Sequence, residues 1–226
     1  SSLTSFNSGI QADEAGTNTF DVSADAGLQG LAGTTAASSA STSKGVAKAV
    51  TELEESAGIQ DVSSLSVGGE LSALGQSINS LSADAGSVVG DSIGRSKMTD
   101  QVEGLEANDI SVSSDAGIQG LAQLSNSASA ATTDGDALST AAAEKLQGAE
   151  LDGLEVGGVA SVIGQTRLSN TASSETVVEA ENGLGAQATA TLEQADGLRA
   201  SNNPASNKAD LDGIEVSSDA NLSGLA

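Results

Sequence analysis

Thirteen residues recur along this chain, and their recurrence limits the fold more than any other feature. Residues 110–122 read I-S-V-S-S-D-A-G-I-Q-G-L-A, residues 20–32 read F-D-V-S-A-D-A-G-L-Q-G-L-A, and residues 214–226 read I-E-V-S-S-D-A-N-L-S-G-L-A. Two shorter relatives lie between them, L-S-V-G-G-E-L-S-A-L-G-Q-S at 65–77 and L-E-V-G-G-V-A-S-V-I-G-Q-T at 154–166. The units start at Phe20, Leu65, Ile110, Leu154 and Ile214, in steps of 45, 45, 44 and 60 residues. A fixed period of this kind marks a stacked array, in which each unit buries its apolar face against the next.

A finer period lies inside the long one. Glycines at 30, 45, 75, 90, 120, 135 and 164 stand fifteen residues apart or at close multiples of fifteen, with Gln60 and Leu105 filling two of the slots. Each unit opens with period-two alternation, as in Phe20/Val22, Leu65/Val67, Ile110/Val112, Leu154/Val156 and Ile214/Val216, the pattern of a half-buried strand. A small polar turn follows, D-A-G or G-G, where glycine takes positive φ without steric cost. Then comes a second apolar pair around a glycine, such as Leu28/Leu31 or Ile118/Leu121, where a narrow coil would bend.

These features predict a mostly β chain, a repetitive β-solenoid with roughly 15-residue coils grouped in 45-residue units. Coils stacked at about 4.8 Å would make a rod roughly 70 Å long. The expected inward positions are Val22, Leu28, Leu31, Val67, Leu74, Val112, Ile118, Leu121, Val156, Ile163, Val216 and Leu222. Three windows carry helical spacing or propensity instead: 44–56, 136–146 and 189–200. They leave room for short helical insertions, or for a second architecture of stacked strand-and-helix modules. Residues 1–19 read as an irregular segment or partial coil, 20–175 as regular repeats, 176–213 as an irregular repeat or insertion around Pro204, and 214–226 as the start of a further repeat. The last copy stops in mid-unit without a polar cap, as expected of a segment of a longer chain or of a subunit that stacks end to end.

Composition narrows the chemistry. With 8 basic against 31 acidic residues and a formal charge of −23, the chain repels phosphate backbones and anionic lipid, so neither nucleic acid nor a membrane surface is an expected partner. No segment has the length and apolarity of a membrane span. Phe6 and Phe20 are the only aromatic residues, so any core is built from Ala, Val, Leu and Ile. Cys and His are absent, which removes thiolate nucleophiles, His-based triads and transition-metal sites. No enzyme is expected and no catalytic residue is assigned.

Hard cations remain open, because calcium takes carboxylate and carbonyl oxygens. Asp25, Asp115 and Asp219 hold one position in the three best copies, and Asp210 and Asp212 flank Leu211 in an acidic turn. These five are the calcium candidates. The Asp column also reads as a set of turn caps, because each coil offers one carboxylate there. Asp134-Gly135-Asp136 forms another short acidic turn. No other cofactor is indicated.

The phrases V-S-S-D-A-G-I-Q-G-L-A and S-N-S-A-S-A-A-T-T resemble the very long Ala/Gly/Ser/Thr-rich repeat proteins of marine unicellular cyanobacteria and their phages. The resemblance implies an extracellular, cell-surface or virion-associated structural protein, such as a fibre or appendage, and carries over no catalytic residue. The expected function is therefore a structural repeat segment of a fibre or filament, part of a larger assembly, whose partners are copies of itself or the continuation of the same chain. An adhesin or receptor-binding module, with its site in the irregular stretch 176–207, is the alternative. A calcium-stabilised surface-layer-like array is the second.

Overall fold

The computed structural model describes residues 2–11, 20–178, 183–200 and 214–226. Its strands, in chain order, are Ser2–Gln11 (β1), Phe20–Val22 (β2), Ala26–Ala32 (β3), Thr35–Lys44 (β4), Ala47–Val67 (β5), Leu71–Val89 (β6), Ser92–Val112 (β7), Ala116–Asp134 (β8), Ala137–Val156 (β9), Ala160–Val178 (β10), Ala186–Ala200 (β11), Ile214–Val216 (β12) and Ala220–Leu225 (β13). The described residues contain no helix. One sheet has the order β1-β5-β7-β9-β11, with β2 and β12 extending the pairing at its rim. The other has the order β13-β10-β8-β6-β3, with β4 continuing the β3 level. All pairings are parallel, and side chains of both sheets meet in shared apolar clusters. The arrangement is compatible with a β-solenoid.

From β4 to β11 successive strands alternate between the sheets, so the chain returns to a given sheet one level further along. Leu65 pairs with Ile110 and Ile110 with Leu154, while Leu71 pairs with Ala116 and Ala116 with Ala160. These return steps are 44 or 45 residues, and no strand meets a neighbour after fifteen. The expected fifteen-residue coil is therefore not the pairing unit. The fifteen-residue spacing arises from two different glycine columns in one circuit. Gly30, Gly75, Gly120 and Gly164 face the opposite sheet, whereas Gly45, Gly90 and Gly135 form a corner with φ of 103°, 118° and 140°. With strands of 19 to 21 residues the section is roughly 65 Å wide. Five levels stack to only about 20 Å, a broad, shallow body rather than a 70 Å rod.

The three helical windows are strand. Over residues 47–53 of β5 the buried residues are Ala47, Ala49, Thr51 and Leu53, a period of two, while Val46 from the helical set is 63% exposed. In β9 Ala137, Ser139, Ala141 and Ala143 alternate inward in the same way. Residues 189–200 belong to β11. Pairing along both edges and a narrow core select small alternate residues, and this tertiary demand overrides alanine's helix propensity.

Four expected core positions also turn out differently. Leu31 is 59% exposed, and Leu74, Leu121 and Ile163 are half-buried on the outer face. The strand does not bend at the glycine between the paired apolar residues, so residues three apart, such as Ile118 and Leu121, fall on opposite faces. The inward neighbours are Ala73, Ala122 and Val162. Val67, Val112, Ile118 and Val156 are buried as expected, and Val22, Leu28, Val216 and Leu222 pack against them from the outer levels.

The core has three zones. Near the first corner, between Val67 and Leu71, lies an aliphatic cluster of Ile59, Leu65, Leu105, Ile110, Ile118, Leu151, Leu154 and their neighbours. A smaller cluster holds Leu53, Leu81, Met98, Leu124 and Leu146. Toward the second corner only alanines meet: Ala47, Ala49, Ala83 and Ala85. Glycines from both sheets press together between the zones. A Cβ on Gly75 would lie 2.1 Å from the Gly104 carbonyl oxygen, one on Gly120 would lie 1.9 Å from that of Gly148, and one on Gly164 would lie 2.0 Å from that of Gly197. The sheets therefore touch backbone to backbone along a waist that no side chain can enter.

Candidate functional site: an aspartate corner and a buried polar column

Two features carry chemistry beyond packing. The first is the corner between the sheets. Its sequence alternates level by level: Ser23-Ala24-Asp25, Gly68-Gly69-Glu70, Ser113-Ser114-Asp115, Gly157-Gly158-Val159 and Ser217-Ser218-Asp219. The backbone forms a continuous ladder there, with Gly68 N–H donating to Val22 O, Ser113 N–H to Val67 O, Gly157 N–H to Val112 O and Ser217 N–H to Val156 O. Asp25 Oδ1 accepts the Glu70 N–H at 2.9 Å, and Asp115 Oδ1 accepts the Val159 N–H at 2.8 Å. Each aspartate thus caps the turn of the next level.

The calcium candidates are placed accordingly. Asp25 and Asp115 stand on alternate levels, roughly 9.6 Å apart along the stack, with a Gly-Gly turn between them. Asp219 holds the same place on the outermost described corner and is exposed. Asp210 and Asp212 lie outside the described residues. Among the described residues no three Asp or Glu side chains assemble as metal ligands. The Asp134-Gly135-Asp136 turn belongs to the second corner, where Asp91 Oδ1 accepts the Asp136 N–H at 3.2 Å and Asp136 Oδ1 accepts the Gly185 N–H at 2.9 Å. Hydroxyls complete that corner: Ser87, Thr132 and Thr176 donate to the carbonyls of Gly45, Gly90 and Gly135 at 2.9, 2.8 and 3.0 Å.

The second feature was not anticipated from the sequence. Where β5, β7 and β9 cross from one core cluster to the next, they carry Ala57-Gly58-Ile59-Gln60, Glu103-Gly104-Leu105-Glu106 and Gln147-Gly148-Ala149-Glu150. Ala57, Glu103 and Gln147 form one column by register, and all three are buried. Glu103 Oε2 accepts from Gln101 Nε2 at 3.3 Å, and Gln101 Oε1 accepts from Lys145 Nζ at 3.1 Å. Gln147 Nε2 donates to Glu150 Oε2, and Gln60 Nε2 to Glu55 Oε1. Glu103 Oε1 and Gln147 Oε1 have no hydrogen-bond partner.

Burial pushes the Glu103 carboxyl up to about 8, reinforced by the charges of Glu106, Glu150 and Glu55 and opposed by Lys145. At neutral pH the group is therefore a neutral acid with an O–H to donate, and Gln147 Oε1, an acceptor, lies on the adjoining strand in register. The recurring phrase of a residue, Gly, an apolar residue and Gln or Glu is the signal that would have revealed this column. Its glycines, at 58, 104 and 148, form the first sheet's share of the waist together with Gly197.

The outer surface carries open hollows. One lies beside Asp109, Glu155 and Glu215 on the first sheet, and another is lined by Asp25, Glu70 and Asp115 at the first corner. No protein-family model, curated protein or solved structure matches this chain.

Proposed function

We propose that this chain is a non-enzymatic structural segment of a fibre or filament, extracellular or on a virion, built as a β-solenoid whose circuits of about 45 residues stack along the fibre axis. The observation that carries this reading is the stacking itself. Parallel pairing repeats level after level with hydrogen bonds at both corners, so each level presents a ready backbone template to the next. A template of this kind extends without new design, which suits mechanical spacing. The partners are further levels of the same fold.

Immunogold electron microscopy with an antibody raised to residues 110–122 tests the proposal. Label spaced along thin projections of cells or virus particles is the expected result. Label confined to the cell interior with no filament overturns it.

One observation favours a second reading, that the fibre also binds a surface. The return step lengthens from 45 to 49 residues between Ala137 and Ala186, and to 60 between Leu154 and Ile214. The additional residues fall within 176–213, where an adhesin would carry its recognition loop. Deleting 201–211, which leaves two residues to match the step from Leu151 to Leu154, separates the readings: a purely structural segment keeps its filament and its attachment to cells, whereas an adhesin loses attachment alone.

A further inference from the structure

The first corner is not uniform, and its alternation has a steric cause. At Gly69 a Cβ would lie 2.2 Å from Asp25 Oδ1, 2.8 Å from the Asp25 nitrogen and 2.9 Å from the Ala24 carbonyl carbon. At Gly158 it would lie 2.2 Å from Asp115 Oδ1 and 2.9 Å from the Ser114 carbonyl carbon. The preceding glycines are equally confined: a Cβ on Gly68 would meet the Ser23 carbonyl oxygen at 2.9 Å, and one on Gly157 that of Ser113 at 2.5 Å. The turn above a capping aspartate therefore has no room for side chains at two consecutive positions, the carboxylate excluding one at the second and the serine carbonyl oxygen crowding the first. Both occurrences inside the molecule obey this rule.

A second alternation follows the same parity. On the outer face of the second sheet one column reads Gln29, Leu74, Gln119, Ile163, and the column beside it reads Leu31, Gln76, Leu121, Gln165. Levels with an Asp corner thus carry a polar residue (Gln29, Gln119, Ser223) then Leu, and levels with a Gly-Gly corner carry an apolar residue then Gln. Two unrelated positions share a period of two levels, so the repeating unit of the stack is a pair of levels.

We propose that levels recognise one another by corner type. The edge at residues 217–225 docks a β-coil whose turn carries Gly-Gly in the places of Gly68 and Gly69, and it rejects the Ser23-Ala24-Asp25 corner of a second copy of this chain. The proposal rests on the stacked solenoid reading above. In a copy-on-copy stack Ala24 would take the place of Gly69, and its Cβ would meet the carboxylate of Asp219, which stands where Asp25 and Asp115 stand. Leu31 would also follow Leu225, breaking the outer alternation.

The test is sedimentation velocity of the full chain over a range of concentrations, with circular dichroism as a folding control. The wild type is expected to remain monomeric. The variant Ser23→Gly/Ala24→Gly, which gives the first corner a Gly-Gly turn, is expected to associate end to end. Adding Asp219→Ala to it is expected to weaken that association about tenfold, as loss of a charge-assisted hydrogen bond does. Wild-type chains that associate as strongly as the double variant overturn the proposal, as does a folded double variant that stays monomeric. If that variant does not fold, melting of Gly158→Ala in the parent and in an Asp115→Ala background replaces it. The expected result is a large loss in the parent and a smaller one in the second background, and equal losses overturn the proposal. A wild type without a β spectrum sinks the solenoid reading itself, whereas a β spectrum with copy-on-copy association sinks the corner rule alone.

Discussion

The two halves of the section are built from the same strands yet differ in thickness. The half beside the Asp and Gly-Gly corner is filled by Leu, Ile and Val, while the half beyond the waist holds a smaller Leu and Met cluster that gives way to Ala, Ser and Thr at the left-handed glycine corner. Both are register-matched, so the difference is one of side-chain volume, which sets how far apart the sheets stand. The glycine waist separates the halves. The wide half stabilises by burying aliphatic area, and the narrow half brings backbones and hydroxyls close enough for the ladder from Ser87, Thr132 and Thr176 to reach the corner carbonyls. One chain thus uses burial on one side and hydrogen bonding on the other.

The most damaging way to break this division is to force the waist open. Gly120→Val places branched carbons where a Cβ alone would lie 1.9 Å from the Gly148 oxygen. The loss should exceed about 4 kcal/mol, and urea titration should find no folded baseline. Next is the pH dependence of Glu103, at the boundary between the halves. Its carboxyl binds a proton more tightly when folded, at about 8 against 4.5. Stability should therefore be full below pH 4.5, fall as pH rises to 8, and level off above. The loss approaches about 5 kcal/mol, at 1.4 kcal/mol per tenfold in proton affinity. Glu103→Gln should abolish this fall and leave the variant more stable than the parent at pH 9, as chemical denaturation at several pH values would show.

Ile118→Ala and Ala130→Leu sharpen the contrast between halves, because they fail in opposite ways. Ile118 is fully buried in the wide half, and its truncation should cost about 2–5 kcal/mol through a cavity. Ala130 is buried in the narrow half, where added volume should cost about 1–3 kcal/mol through strain. The reciprocal changes test the assignment: Ile118→Val should be milder than Ile118→Ala, and Ala130→Gly milder than Ala130→Leu. The smallest effect belongs to Asp115→Ala, which removes one cap from an exposed corner. A loss of about 1 kcal/mol corresponds to a fall in Tm of roughly 2–4 °C for a chain of this size. The surface ion pair of Lys97 with Glu144 at 2.8 Å should matter still less, since both partners are exposed.

Much of this was legible in the residues. The alternation at Leu65/Val67 and Ile110/Val112 marked strand and the lack of aromatics marked an aliphatic core, whereas the 45-residue spacing was legible as a repeat and not as the pairing step. The aspartate column was legible as turn caps, although the intervening Gly-Gly turns made it skip levels. Glu103 and Gln147 were not legible, because a charged residue within a strand ordinarily marks an exposed position. Only the crossing from one core cluster to the other buries them.

The sequence by itself determined the period and the identity of what repeats, because spacing and residue type are linear properties. Only the tertiary structure decided how much chain makes one circuit. Glycines fifteen residues apart look equivalent along the chain, yet Gly30 faces Gly58 across the waist while Gly45 turns a corner with φ of 103°. The same holds for residues 136–146, helical by propensity and extended in the molecule. Propensity acts on each residue alone, whereas parallel pairing to levels on both sides binds every alternate alanine into a narrow core at once.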